Sequence, residues 1–182
     1  MSRRHGALPP PRGVGHHGAV RAVTEALALR PCPGLGRDPH FLLALAAGVA
    51  FWAVLAVAGG RGMPDPGGLL SWPYLYLAVA APVLEELAFR GALQGWLLES
   101  GFGARRSFGL THANLAVSAA FTAIHFAYHP PLWAGAVLFP SLVFGHLRDR
   151  TGSVLPAICV HIFYNLGYFA LTGLPPAAGP AG

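Results

Sequence analysis

Apolar residues in this chain come in long unbroken runs rather than at helix or strand period. Residues 41–59 carry no charge over about 19 positions, enough at ~1.5 Å per residue to cross ~30 Å of hydrocarbon. Asp38-Pro39 just before them reads as a helix N-cap followed by proline at the first helical position. Ala56-Val57-Ala58 has the look of a leader cleavage site. However, about forty residues precede the apolar run, too many for a leader, so the run is read as a span. Further apolar stretches fall at 71–98, 113–128, 132–147 and 154–171, with a sharp break at His129-Pro130-Pro131 and an exit at Arg148-Asp149-Arg150. Pro82, Pro140 and Pro156 sit in or near the ends of these stretches, where neighbouring helices can satisfy the freed carbonyls. The pattern predicts an all-α fold, a polytopic transmembrane bundle of about five spans without internal repeat. Residues 1–37 form a basic, largely disordered tail, within which 20–29 has a short amphipathic helix as its rival reading. Residues 38–174 form the embedded domain, and 175–182 a short flexible end.

Composition agrees. Of 182 residues, 54% are hydrophobic and 10% charged, against about 25% charged in a soluble domain. The 41 Gly and Pro are scattered, which excludes collagen. The net charge of +5 comes from twelve Arg and no Lys, and six of the twelve precede residue 38. With the N-terminus inside, inner segments hold ten Arg and outer segments only Arg61, a positive-inside bias. The basic residues are not interleaved with aromatics and no groove-reading motif follows them, so nucleic acid is not the expected partner. The lipid bilayer is. Cys32 and Cys159 make no metal spacing or disulfide framework, and Cys159 reads as a small buried residue.

Glu85, Glu86 and Arg90 lie inside an apolar stretch, where each charge costs roughly 2.5–3.5 kcal/mol on insertion scales. Glu86 and Arg90 are four apart with the acid N-terminal, the favourable orientation for a helical ion pair. Glu85 lies about 100° further round and cannot share that pair equally, which leaves one carboxylate free for general-base work. A buried salt bridge that only fixes packing would explain Glu86 and Arg90 but not Glu85. Later stretches place Phe121 with His125 and His161 with Asn165, each pair on one helix face. Counted from the inner boundaries, Glu85, His125 and Asn165 lie ~18–20 Å deep and His161 ~12 Å, so the four can meet at one level. His5, His16, His17, His40, His112, His129 and His146 fall in the tail or near span ends and read as interfacial.

A carboxylate beside an imidazole can activate a water, and an Asn amide with a second histidine can stabilise the oxyanion formed on a carbonyl. Such groups hydrolyse a peptide bond without a covalent intermediate. No GxSxG elbow or HExxH motif occurs, and Asp38, Asp65 and Asp149 all fall outside the apolar stretches. No cofactor is expected. A divalent metal such as zinc on Glu85, His125 and His161 is the lesser variant, because their scattering gives no ligand spacing.

Glu85-Glu86-Leu-Ala-Phe-Arg90-Gly, Phe121-Thr-Ala-Ile-His125 and His161-Ile-Phe-Tyr-Asn165 resemble, in order, the three motifs of the CPBP family of intramembrane proteases, the CAAX-protease or Rce1-like family. The resemblance covers about the last hundred residues. It implies a glutamic-type intramembrane endopeptidase in which Glu85 and His125 activate water, His161 and Asn165 form the oxyanion site, and Glu86 and Arg90 orient the base. Residues 111–150 also resemble members tied to bacterial C-terminal protein-sorting systems. That implies a membrane-anchored protein substrate cut near its C-terminus after export, and the all-Arg, Ala/Gly/Pro-rich composition is similar to that of GC-rich bacterial genomes. The expected location is the cell membrane, multi-pass. Two rival classes stay open: a non-catalytic scaffold or immunity-type module with the same fold, and a small transporter using Glu85 as a carrier site, which the lack of a repeat disfavours.

Overall fold

The computed structural model describes residues 23–59 and 68–174. Helix α1, Pro39–Gly59, starts as its sequence dictates: Asp38 Oδ1 accepts the backbone N–H of His40 at 2.9 Å and of Phe41 at 3.1 Å. Helix α2 covers 72–98 without a break, capped by Ser71, whose hydroxyl accepts from the Tyr74 N–H. It is wound more loosely, as π-helix, over Tyr76–Ala80 and Leu87–Leu93. Thr111 caps α3, His112–His125, through the Asn114 N–H. The His-Pro-Pro break precedes a short α4, Pro131–Ala136. Helix α5, Leu138–Thr151, ends on Gly152 at φ 68°, and α6 runs Leu155–Thr172.

Every apolar stretch is helical, and the fold is an all-α bundle. Three boundaries differ from expectation. The 132–147 stretch is split between α4 and α5. Helix α5 continues through Arg148-Asp149-Arg150, because Asp149 is held inward by Gln94 and Thr111 at 2.8 and 2.7 Å. The 99–112 loop contains a small antiparallel hairpin, β1 Arg106–Ser107 on β2 Leu110–Thr111. Among the described residues, α1 and α6 are the two helices long and apolar enough to cross a membrane by themselves. The fourteen residues of α3 or of α5 reach only ~21 Å.

Contacts give the helix directions. Leu77 meets Asn165 and Glu86 meets His161, so α2 and α6 are antiparallel. Arg90 meets Ser141 and Gln94 meets Gly145, so α2 and α5 run the same way. Asn114 meets Leu142 while Thr111 meets Asp149, so α3 runs against α5. Alternating passes require this arrangement. A cluster of Ala44, Phe144, Leu147, Ala157 and Val160 joins α1, α5 and α6. The outward face of α1 stays apolar and open, with Leu43, Val54 and Val57 exposed, which is a liability in water and ordinary in lipid.

Residues 1–22 and 175–182, and with them most of both expected tails, lie outside the described residues, as do Arg61 and the first part of 20–29. Residues 23–26 are helical, and the chain then crosses the end of the bundle. Ala28 is buried at φ 52°, its carbonyl accepts the Val154 N–H at 3.0 Å, and the Ser153 hydroxyl donates to the Arg30 carbonyl at 2.7 Å. Gly91 lets this segment approach: a Cβ there would stand 3.0 Å from the Leu27 carbonyl oxygen. Cys159 is exposed rather than buried, because Ile158 and His161 take the inward face of α6 and an apolar thiol is equally at home toward lipid.

Candidate active site

Two consecutive carboxylates on α2 end in opposite circumstances. Glu86 is completely buried, and its Oε1 accepts from Arg90 Nη1 at 3.0 Å, the i,i+4 pair expected from spacing. Arg90 is completely buried too; its Nη2 donates to the Ser141 hydroxyl at 2.6 Å and to the Ser141 carbonyl at 3.3 Å. The guanidinium lies over the ring of Phe121, 4.5 Å from its centroid, with Phe144 at 5.5 Å. An arginine held this way keeps its charge away from water, with both terminal nitrogens bonded and Nε left without a partner. Glu85 keeps 37% of its side-chain surface open.

His161 of α6 sits between the two. Its Nδ1 is 2.8 Å from Glu86 Oε1, and its Nε2 is 3.7 Å from Glu85 Oε2. A carboxylate only accepts, so Nδ1 carries the proton and Nε2 is the nitrogen turned to Glu85. The Phe144 ring stacks on the imidazole at 4.6 Å and fixes its plane. Glu86 thus has a task that the sequence reading did not give it: besides neutralising Arg90, it sets the tautomer and angle of His161.

His125 takes a different place from the one implied. The imidazole within ion-pair reach of Glu85 is His161; His125 donates from Nδ1 to the Phe121 carbonyl at 2.8 Å, which leaves Nε2 free. Its ring packs on Phe121 at 4.6 Å and on His129 at 5.6 Å, and Phe121 in turn contacts His161 edge-on at 6.2 Å. His129, read as merely interfacial, is exposed but belongs to this aromatic row. Asn165 donates from Nδ2 to the Leu77 carbonyl at 3.1 Å. That carbonyl is orphaned by the local winding. The Ala81 N–H goes to Tyr76, so Leu77 would need an N–H from residue 82, which is proline. Among the described residues, no three His, Cys, Asp or Glu side chains gather as a group that could hold a metal ion, so Glu85, His125 and His161 do not converge as a ligand set.

The sequence reading missed a polar ladder behind the site. Gln94 is fully buried and donates to the Gly145 carbonyl and to Asp149. Asn114, also fully buried, donates to the Leu142 carbonyl and accepts from Ser118. Gly145 has to be glycine, since any Cβ would collide with the Asn114 amide. The signal was present as four-residue spacing, Glu86-Arg90-Gln94 against Ser141-Gly145-Asp149, and as the scarcity of Asn and Gln in the chain.

The paired glutamates on α2 and the His-to-Asn turn on α6 fall within one homologous segment. No curated protein and no solved structure shows significant similarity to the chain. Residues 67–167 match the family described as type II CAAX prenyl endopeptidase Rce1-like, a segment that begins just before α2 and contains every one of Glu85, Glu86, Arg90, His125, His161 and Asn165. The match spans more than half of the chain, and with its two membrane-length helices the protein belongs to the Rce1-like family of membrane-embedded CAAX-type endopeptidases.

Proposed function

We propose that the protein is a glutamic-type intramembrane endopeptidase that cuts a membrane-anchored protein by adding an activated water to a peptide bond near its C-terminus. The observation that carries this reading is the half-open carboxylate of Glu85, 3.7 Å from an imidazole whose far nitrogen is anchored on a buried carboxylate. Glu85 and His161 Nε2 both face the gap as acceptors. One water donating a proton to each would satisfy both, a bridge well within ordinary reach. Glu85 then takes the proton as the water oxygen attacks the carbonyl carbon, and returns it to the amine as the C–N bond breaks. Glu86 steadies His161, and Arg90 holds the Glu86 carboxylate in place by pairing with it.

The resemblance assigned water activation to His125, and the oxyanion to His161 and Asn165. The geometry supports exchanging the two histidines: His161 stands with the base, while His125 offers a free Nε2 on the other side of Phe121. Asn165 retains a second N–H on Nδ2 after serving Leu77, and that hydrogen is the available oxyanion donor. Every role falls on a protein group, and no metal is required.

A second reading draws on a specific observation. His125 and Asn165 each spend a bond on a backbone carbonyl, which is what bracing residues do in a non-catalytic scaffold of the same fold. Mapping of protein termini by mass spectrometry in cells carrying the wild type and Glu85→Gln separates the two. A peptidase yields a small set of new termini present only with the wild type. Identical termini, with both proteins inserted equally, would leave the scaffold.

A further inference from the structure

The site divides the bundle into two unlike halves. Toward the C-terminal end of α2, the space between helices is filled by Arg90, Gln94, Asn114, Ser118 and Ser141, all completely buried and bonded to one another or to backbone. Beyond them, Gln94 and Thr111 close on Asp149, and the segment from Leu27 to Arg30 lies across Gly91 and is tied to Ser153 and Val154. A polypeptide coming from this end would have to break the whole ladder to reach Glu85.

The other half is open and of another chemistry. Leu84, Ile124 and Phe126, next to Glu85 and His125 in sequence, are each at least half exposed. Residues 68–84, 122–140 and 162–174 contain no Asp, Glu, Lys or Arg, so these segments carry apolar, aromatic and histidine side chains with four uncharged polar ones, Ser71, Thr122, Asn165 and Thr172. Its rim is aromatic, with Trp133 stacked on Tyr168 at 5.1 Å and on Phe51 at 6.3 Å. All other described charged residues lie at the sealed end, the arginine-rich end that the positive-inside rule places in the cytoplasm.

We propose that substrate reaches Glu85 from the arginine-poor, non-cytoplasmic half, and that what docks there is an uncharged, apolar anchoring segment of an exported polypeptide. The substrate class rests on the peptidase reading above; the route of access does not. A cytoplasmic tail would meet the buried ladder. A segment carrying a lysine or arginine into the mouth would find no acidic partner among the described residues except Glu85 itself.

The test is cysteine accessibility in sealed vesicles of the full chain, in a Cys32→Ser, Cys159→Ser background. Glu85→Cys and, as an independent position, His125→Cys are each treated with a charged, membrane-impermeant methanethiosulfonate from one side at a time. Ser107→Cys in the 106–111 hairpin marks the sealed end. The expected result is labelling of both site cysteines from the side opposite to Ser107→Cys, at least ten times faster than from its own side. Labelling from the same side as Ser107→Cys, or from neither side, overturns the route. The substrate class is read separately from the termini that depend on the wild type. Cuts in or beside apolar anchors of exported proteins are expected, and cuts confined to cytoplasmic tails overturn it. Absence of any cut defeats the peptidase reading while leaving the labelling result standing.

Discussion

Two helix groups in one bundle are held together by different chemistry. Between α1 and α6 the contact is small against large. Gly48 lies under Tyr164, Gly167 under Trp52, and the Tyr164 hydroxyl donates to the Ala44 carbonyl at 2.8 Å. Among α2, α3 and α5 the contact is polar side chain to polar side chain or to backbone, almost all of it buried. Lipid offers no hydrophobic reward for bringing helices together, so close packing and interhelical hydrogen bonds are the available means. The first fills space and asks for shape, a glycine beneath each large ring. The second ties each side chain to a fixed partner, and it backs the site on the Glu86 side.

The sharpest way to part the two roles within the polar group is Glu85→Gln. It should lower cleavage by about 10²–10⁴-fold, the range for a lost general base, while leaving insertion and thermal stability within error; quantifying termini against folded protein checks both. Glu86→Ala should do the opposite to the fold. It strands the buried Arg90 and removes the anchor of His161, costing about 3–5 kcal/mol, to be read from reversible unfolding in detergent or bicelles. Joining it to Arg90→Met should restore much of that stability without restoring cleavage, since His161 still lacks its partner. In the apolar group, Gly48→Leu should cost about 1–3 kcal/mol through the clash with Tyr164 and leave the pH profile of cleavage unchanged.

The smallest effect concerns the clamp at the end of α1, where Asp38 Oδ2 meets Arg150 Nε at 2.9 Å. Partial desolvation pushes the Asp38 carboxyl up, but the Phe41 N–H and the Arg150 guanidinium together hold it below the ordinary carboxylate range. A carboxyl held low when folded stabilises the fold at neutral pH and loses that contribution as the pH falls through its folded value. Thermal melts of wild type and Asp38→Asn should therefore differ near pH 7, begin to converge as the pH falls below about 4, the ordinary aspartate range, and meet only below the lowered folded value.

Helix existence and starts were legible because caps are local. Asp38 announced α1 by a side chain that reaches only two or three residues on, and Ser71 and Thr111 cap in the same way, a signal the sequence reading missed. The Glu86–Arg90 pair was legible for the same reason. His161 could not be placed, because whether it faces Glu85, Glu86 or both depends on the register between α2 and α6, which no spacing within either helix encodes. Asn165 hid its bracing bond in a neighbour's defect, the carbonyl freed by Pro82 and the π winding. Asp149 looked like part of an exit loop because its partners, Gln94 and Thr111, lie 55 and 38 residues away.

The loose turn at Leu87–Leu93 has a consequence for phase. In an ordinary α-helix, residues four apart drift by about 40° per step, so a row such as 86, 90, 94 spirals off any straight neighbour. Unwinding toward more residues per turn removes that drift and lets the row run straight alongside Ser141, Gly145 and Asp149. Regular winding over the same eight steps from Glu86 to Gln94 would carry the two about 80° out of line, whereas deleting one residue between 87 and 93 would cancel most of that rotation. With regular winding at full length, Gln94 and Glu86 could no longer both face α5, and the seam would unzip from a change that removes no polar group at all.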